Sequence, residues 1–200
     1  MIAIIDYGAG NLRSVHKAFD YLETETVITS DPDVIMAAEK AILPGVGAFG
    51  DAMDQLTASG LDKVVMDFIA SGKPFLGICL GLHLLFEESE ETPGVKGLGY
   101  FKGKILKIKG KDLKIPQMGW NKLKFNGECK LFDGIKDGEY MYFVHSYYAK
   151  PENKEDSAAT VIYGDELDIA VHKNNVYATQ FHPEKSGTAG LKLLENFANM

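Results

Sequence analysis

The sequence predicts an α/β protein: an open, largely parallel sheet with helices on both faces, plus a smaller antiparallel second sheet from the C-terminal half. Three observations carry this. Short apolar runs recur at Ile2–Ile5, Lys40–Leu43 and Pro74–Ile78. Between them lie stretches whose apolar residues return at helical spacing. After about residue 100 the texture changes to strands with one wet face, separated by turn residues. Alternation of apolar strands with amphipathic helices implies parallel strands covered on both sides.

The elements follow in order. Ile2–Ile5 is a buried strand ended by Tyr7-Gly8-Ala9-Gly10, and Asn11 can cap a helix carrying Leu12, Val15, Ala18, Phe19 and Leu22. Glu25–Thr29 reads as a second strand, and Ser30-Asp31-Pro32-Asp33 has the cap and first-turn residues of a helix start. Lys40–Leu43 is a third strand, stopped at Pro44-Gly45, and helical spacing resumes over Phe49–Leu56 and Leu61–Ala70. Pro74–Ile78 is a fourth strand and Leu80–Glu88 a further helix, with Glu87–Glu91 as its solvated end. Such an order suits a flavodoxin-like open sheet, whose functional groups collect at the carboxyl ends of strands. Lys104–Lys109, Leu123–Phe125, Glu139–Ala149, Ala158–Tyr163, Asp168–His172 and Val176–Phe181 are the later strands, and Ser186–Ala198 is a closing helix.

The 200 residues suit one domain, 1–200, large enough to bury a core without disulfides or metals. A hydrophobic fraction of 46% and a charged fraction of 24% argue against a disordered chain. The formal charge of −7 weighs against non-specific nucleic-acid binding. No apolar run approaches the ~20 residues that span a bilayer, and the N-terminus lacks the basic region of a signal peptide. Cys79 and Cys129 are too few for a disulfide framework, so the expectation is reduced thiols in a cytoplasmic protein.

Three fragments can carry chemistry together. Gly77-Ile78-Cys79-Leu80-Gly81 follows a buried strand and precedes a helix, the nucleophile-elbow arrangement with cysteine in place of serine. The N-terminus of the following helix favours the reactive thiolate. Gln180-Phe181-His182-Pro183-Glu184 offers a general base and a carboxylate to orient it, two residues apart on one side of a strand end. Pro44-Gly45-Val46-Gly47, with the Leu80 N–H, can supply oxyanion donors at Val46 and Gly47. Taken singly, each has an ordinary explanation: a buried cysteine beside packing glycines, a surface turn, a strand-ending turn. In combination they describe a Cys79–His182–Glu184 triad.

In this order the fragments resemble the triad (class I) glutamine amidotransferases. Within that family the chain is most similar to the glutaminase subunits of imidazole glycerol phosphate synthases. The resemblance is carried by Asp6–Asn11, Pro44–Gly47, Gly77–Gly81, Phe86–Glu91, Gly94–Gly99, Met118-Gly119-Trp120-Asn121, Tyr142–Tyr147 and Ala178–Lys185. It implies that Cys79 attacks the glutamine side-chain amide, that His182 protonates the departing ammonia, and that Glu184 orients His182. Gly47, Glu91, Ser146 and Tyr147 are the implied glutamine contacts, with Glu91 on the substrate ammonium. No cofactor and no metal are implied. The implied partner is a (β/α)8-barrel cyclase in a heterodimer, met at Asn11, Trp120, Tyr142 and Lys185. Two positions depart from the family pattern: His83 stands where glutamine is usual, and Gln117 where histidine is expected.

Overall fold

The computed structural model describes residues 1–111 and 113–200. Its N-terminal half follows the predicted order: β1 (Ile2–Ile5), α1 (Leu12–Tyr21), β2 (Thr26–Thr29), α2 (Pro32–Ala37), β3 (Lys40–Gly45), α3 (Phe49–Ala58), α4 (Leu61–Ala70), β4 (Phe75–Cys79) and α5 (Leu80–Leu84). Then come β5 (Phe86–Ser89), β6 (Phe101–Lys107), β7 (Gln117–Lys122), β8 (Lys124–Phe125), β9 (Tyr140–His145), β10 (Tyr147–Pro151), β11 (Ser157–Tyr163), β12 (Asp165–Lys173), β13 (Val176–Thr179) and α6 (Gly187–Ala198).

Among the described residues the main sheet has eleven strands, ordered β2-β1-β3-β4-β13-β12-β10-β6-β5, with β11 and β8 attached through β12. Pairing is parallel from β2 to β13 and again between β5 and β6. Strand alternation divides the core in two. Ile2 and Ile4 point to the face covered by Val15 and Phe19 of α1 and Leu193, Leu194 and Phe197 of α6. Ala3 and Ile5 point to the opposite face, where Ile35, Phe49, Leu56, Val65 and Phe68 of α2, α3 and α4 pack. Fully buried phenylalanines such as Phe19 and Phe68 contribute roughly 1.5–3 kcal/mol each through lost apolar surface.

The second antiparallel sheet is present and, among the described residues, consists of β7 and β9; the other C-terminal strands extend the main sheet. The predicted strand Glu139–Ala149 is broken at Ser146, so that β9 joins the small sheet and β10 the large one. Asn174, at positive φ, and Asn175 form the two-residue turn between β12 and β13.

One expectation is corrected. The predicted helix Leu80–Glu88 stops at Leu84, and Phe86–Ser89 is a strand parallel to β6. The acidic run is therefore a strand edge, not a solvated helix end. Glu87 accepts from the Gly103 N–H and the Lys102 ammonium, and Glu88 pairs with Lys96 and Lys104. Among the described residues no helix is long and apolar enough to cross a membrane.

Candidate active site

Cys79 ends β4 at φ 56°, ψ −107°, a conformation L-residues rarely adopt. The flanking glycines explain how the chain tolerates the turn. A Cβ on Gly81 would lie 1.8 Å from the Leu43 carbonyl oxygen, and one on Gly77 would lie 2.9 Å from the Gly81 carbonyl oxygen. The elbow is thus packed directly against β3, whose Gly45 stands in register with Cys79.

On the other side of β4 runs β13, with Thr179 in register with Ile78. Parallel pairing therefore delivers the turn after β13 to the same carboxyl edge as the elbow. His182 Nδ1 and Glu184 Oε1 are 2.9 Å apart, and both side chains are almost wholly buried. Burial opposes the charged imidazolium, but hydrogen bonds to Cys79 and Glu184, with the charges of both, outweigh it and push His182 up to about 9. Glu184 Oε2 is buried with no hydrogen-bond partner among the described residues. The His182 backbone is fixed from a third direction. Its N–H donates to the Tyr142 carbonyl (3.0 Å), and the Ser186 hydroxyl donates to the His182 carbonyl (2.6 Å) while accepting from the Tyr142 N–H (3.0 Å).

Cys79 and His182 open into a cavity of about 360 Å³ that Val46, Gly47, Leu80, Glu91, Ser146 and Tyr147 also line. All the residues expected for oxyanion and glutamine binding are therefore brought to one cavity. Val46 is half exposed at its rim, and Gly47 has φ +103°. Ser146 is the break between β9 and β10, and Tyr147 begins β10. Glu91 also braces the scaffold, because its Oε2 accepts from the Phe49 N–H at 2.9 Å and ties the loop after β5 to the start of α3.

The four expected partner residues lie around this edge. Lys185 lines the cavity, and Asn11 shares a crevice with His182 and Glu184. Trp120 and Tyr142 face each other across β7 and β9, rings 6.0 Å apart and nearly perpendicular, with Trp120 53% exposed. Exposed Met118 and Tyr140 complete an apolar outer face on this ribbon, while Met141, Phe143 and His145 face the core.

Sequence reasoning missed a buried polar chain behind the nucleophile. Gln180 Nε2 lies 3.9 Å from Cys79 Sγ, and Gln180 Oε1 lies 2.7 Å from His83 Nε2. His145 Nδ1 donates to the Tyr147 carbonyl (2.7 Å), so in the neutral ring Nε2 accepts and the Gln117 side-chain amide, 3.0 Å away, turns its NH2 toward it. Burial pushes both His83 and His145 down to about 4, so both rings are neutral. A signal for Gln180 was available: two residues before His182, it points to the same side. Among the described residues no group of three or more His, Cys, Asp and Glu side chains is arranged to hold a metal ion.

Relatives share this chain's length. It is 50% identical over 206 residues to the imidazole glycerol phosphate synthase subunit HisH of Syntrophotalea carbinolica, covering 100% of both chains. It is 51% identical over 200 residues to the subunit of the same name from Methanothermobacter thermautotrophicus, covering 100% of this chain and 98% of that one. A solved structure described as a glutamine amidotransferase superposes with a TM-score of 0.77 at 19% identity, covering 100% of this chain and 99% of that one, and shows the common fold. Residues 3–200 match the family described as glutamine amidotransferase class-I. With an elbow cysteine, a buried histidine–carboxylate pair and this match along its length, the chain belongs to the class I glutamine amidotransferases.

Proposed function

We propose that the chain is the glutaminase subunit of an imidazole glycerol phosphate synthase, acting in histidine biosynthesis. The observation that carries this is the buried His182–Glu184 pair aimed at a strained Cys79, in a chain alike over its full length to subunits of that name. Residues 1–200 work as one glutaminase domain in the cytoplasm.

The geometry supports a thioester mechanism. The Cys79 thiolate attacks the amide carbon of glutamine, and the carbonyl π electrons move onto oxygen. The oxyanion takes hydrogen bonds from the Leu80 N–H and from a peptide N–H at Val46 or Gly47. The His182 imidazolium gives its proton to the nitrogen as the C–N bond breaks, releasing ammonia and leaving the thioester. His182, now neutral, removes a proton from water, which attacks the thioester; glutamate departs and the thiolate is restored. Glu184 holds the ring orientation throughout. Gly47, Ser146 and Tyr147 contact the glutamine, and the Glu91 carboxylate faces its ammonium.

Ammonia released into water is protonated and lost as a nucleophile, so the product passes to a cyclase of (β/α)8-barrel fold. That partner docks on the outer face formed by Trp120 and Tyr142 with Asn11 and Lys185. It adds the nitrogen to a phosphoribulosyl substrate, forming imidazole glycerol phosphate and AICAR. The test follows glutamate release after mixing with candidate synthases. Stimulation by the cyclase, abolished in Cys79→Ala, is expected; stimulation by a chorismate-using synthase instead overturns the assignment, and turnover by Cys79→Ala overturns the nucleophile.

A further inference from the structure

We propose that His83 is a positioning residue for the nucleophile: its Nε2–H holds the Gln180 carbonyl oxygen, so that the Gln180 amide NH2 is kept pointing at the Cys79 sulfur. The inference rests on the reading of Cys79 as nucleophile and extends it to two side chains with no assigned part in the chemistry.

The geometry uses both ends of one buried amide. His83 follows Cys79 by four residues, one turn of α5, and so stands over the elbow. His83 is 5% exposed and Gln180 0%, so their polar atoms depend on partners within the fold. Gln180 Oε1 can only accept, which places the ring proton of neutral His83 on Nε2 at 2.7 Å. The other ring nitrogen, Nδ1, is then a bare acceptor, and it is buried with no partner among the described residues. The low proton affinity of the buried ring keeps it in this neutral, single-donor form.

With Oε1 occupied, the amide nitrogen faces Cys79 Sγ at 3.9 Å. Rotating the amide by half a turn would bring its carbonyl oxygen against the thiolate, an unfavourable contact of two electron-rich atoms. On the side away from sulfur a rotated amide would need the other ring tautomer, whose buried Nδ1–H finds no acceptor among the described residues, so the Nε2–H form and this amide orientation go together. A thiolate so placed is served by two donors, the His182 ring and the Gln180 amide, and hydrogen bonds to a charged acceptor are the stronger kind. Glutamine at position 83 could act in the same way, because its amide nitrogen reaches about as far from Cα as a histidine Nε2.

The test reads thiolate formation directly, because the thiolate is the form that alkylates. The full-length protein is treated with iodoacetamide across pH 5 to 10, and the Cys79 peptide is followed by mass spectrometry. Cys129, pushed up to about 11 mainly by burial, reports separately. The other titratable groups around the Cys79–His182 pair, Tyr7, Glu91, His145, Tyr147, Glu184 and Lys185, are the same in every variant. Gln180→Leu and His83→Leu are expected to move the Cys79 profile up by about one pH unit, a roughly tenfold slower alkylation on its acid side. His83→Gln restores the wild-type profile and His83→Asn, too short to reach, does not.

Folded Leu variants with an unmoved profile overturn the inference, as does rescue by Asn equal to that by Gln. Should the Leu variants fail to fold, the isosteric Gln180→Glu replaces a donor by an acceptor and must move the profile at least as far; no movement overturns the inference, as does a wild-type profile in His83→Asn. Alkylation needs no glutamine, so the two readings fail separately. Shifted profiles in a protein that hydrolyses no glutamine with the cyclase refute the function and leave the positioning role standing.

Discussion

The two buried neutral histidines set how the protein responds to acid. Each ring is held at about 4 against an ordinary 6.5, burial being the main cause. Their low folded values mean that the unfolded chain binds protons that the folded chain refuses, so stability is present above 6.5 and is lost as pH falls toward 4. At pH 7 the loss per ring is small, at pH 5 it is about 2 kcal/mol, and at pH 4 about 3 kcal/mol. Replacing His83 by glutamine removes one of these titrations and keeps an N–H for Gln180. Urea unfolding at pH 7 and pH 5 should therefore show a fall in stability about 2 kcal/mol smaller in His83→Gln than in the wild type. Contributions from His182 and from the carboxylates are common to both proteins and cancel in the comparison. Equal falls in the two proteins would refute the claim that His83 is folded in neutral form.

Three further outcomes follow from the geometry. Gly81→Ala places a methyl group 1.8 Å from the Leu43 carbonyl, so it should destabilise the fold by at least ~3 kcal/mol, seen as a lowered urea midpoint, and abolish turnover by displacing the elbow. Because His182 is raised to about 9, its stabilising contribution is full below 6.5 and lost as pH rises through about 9. Glutamine hydrolysis should fall over the same alkaline limb, since the leaving ammonia needs the imidazolium proton, and Glu184→Gln should bring that limb to lower pH in a kcat profile. Trp120→Ala should weaken cyclase binding about 30-fold, the equivalent of ~2 kcal/mol, by calorimetry, with little change in the melting temperature of the chain alone.

The parallel half of the fold was legible because β1, β3 and β4 are buried on both faces and read as short apolar runs. The elbow was legible because backbone packed this closely leaves room only for glycine at positions 77 and 81. Leu80–Glu88 misled for a physical reason. Leu82, Leu84, Leu85 and Phe86 are all buried and fit a helix as well as a strand, and the choice is made by β6, which lies later in the chain. The break at Ser146 is likewise imposed by two sheets competing for one stretch of chain. Glu91 was expected as a glutamine contact from the family resemblance, but its bond to the Phe49 N–H joins segments 42 residues apart and had no local signature.

The ribbon of β7 and β9 meets two demands at once. Its outer face carries Trp120 and Tyr142, and through Tyr142 its backbone is hydrogen-bonded to His182 and Ser186. A slip of one residue in this register would turn the aromatic face inward and would also shift the amide and carbonyl that hold the histidine. The proposed recognition face and the support of His182 therefore rest on the same few peptide groups. Over many generations of substitution, side chains on the outer face of the ribbon can be exchanged one at a time, but its phase cannot change without displacing His182.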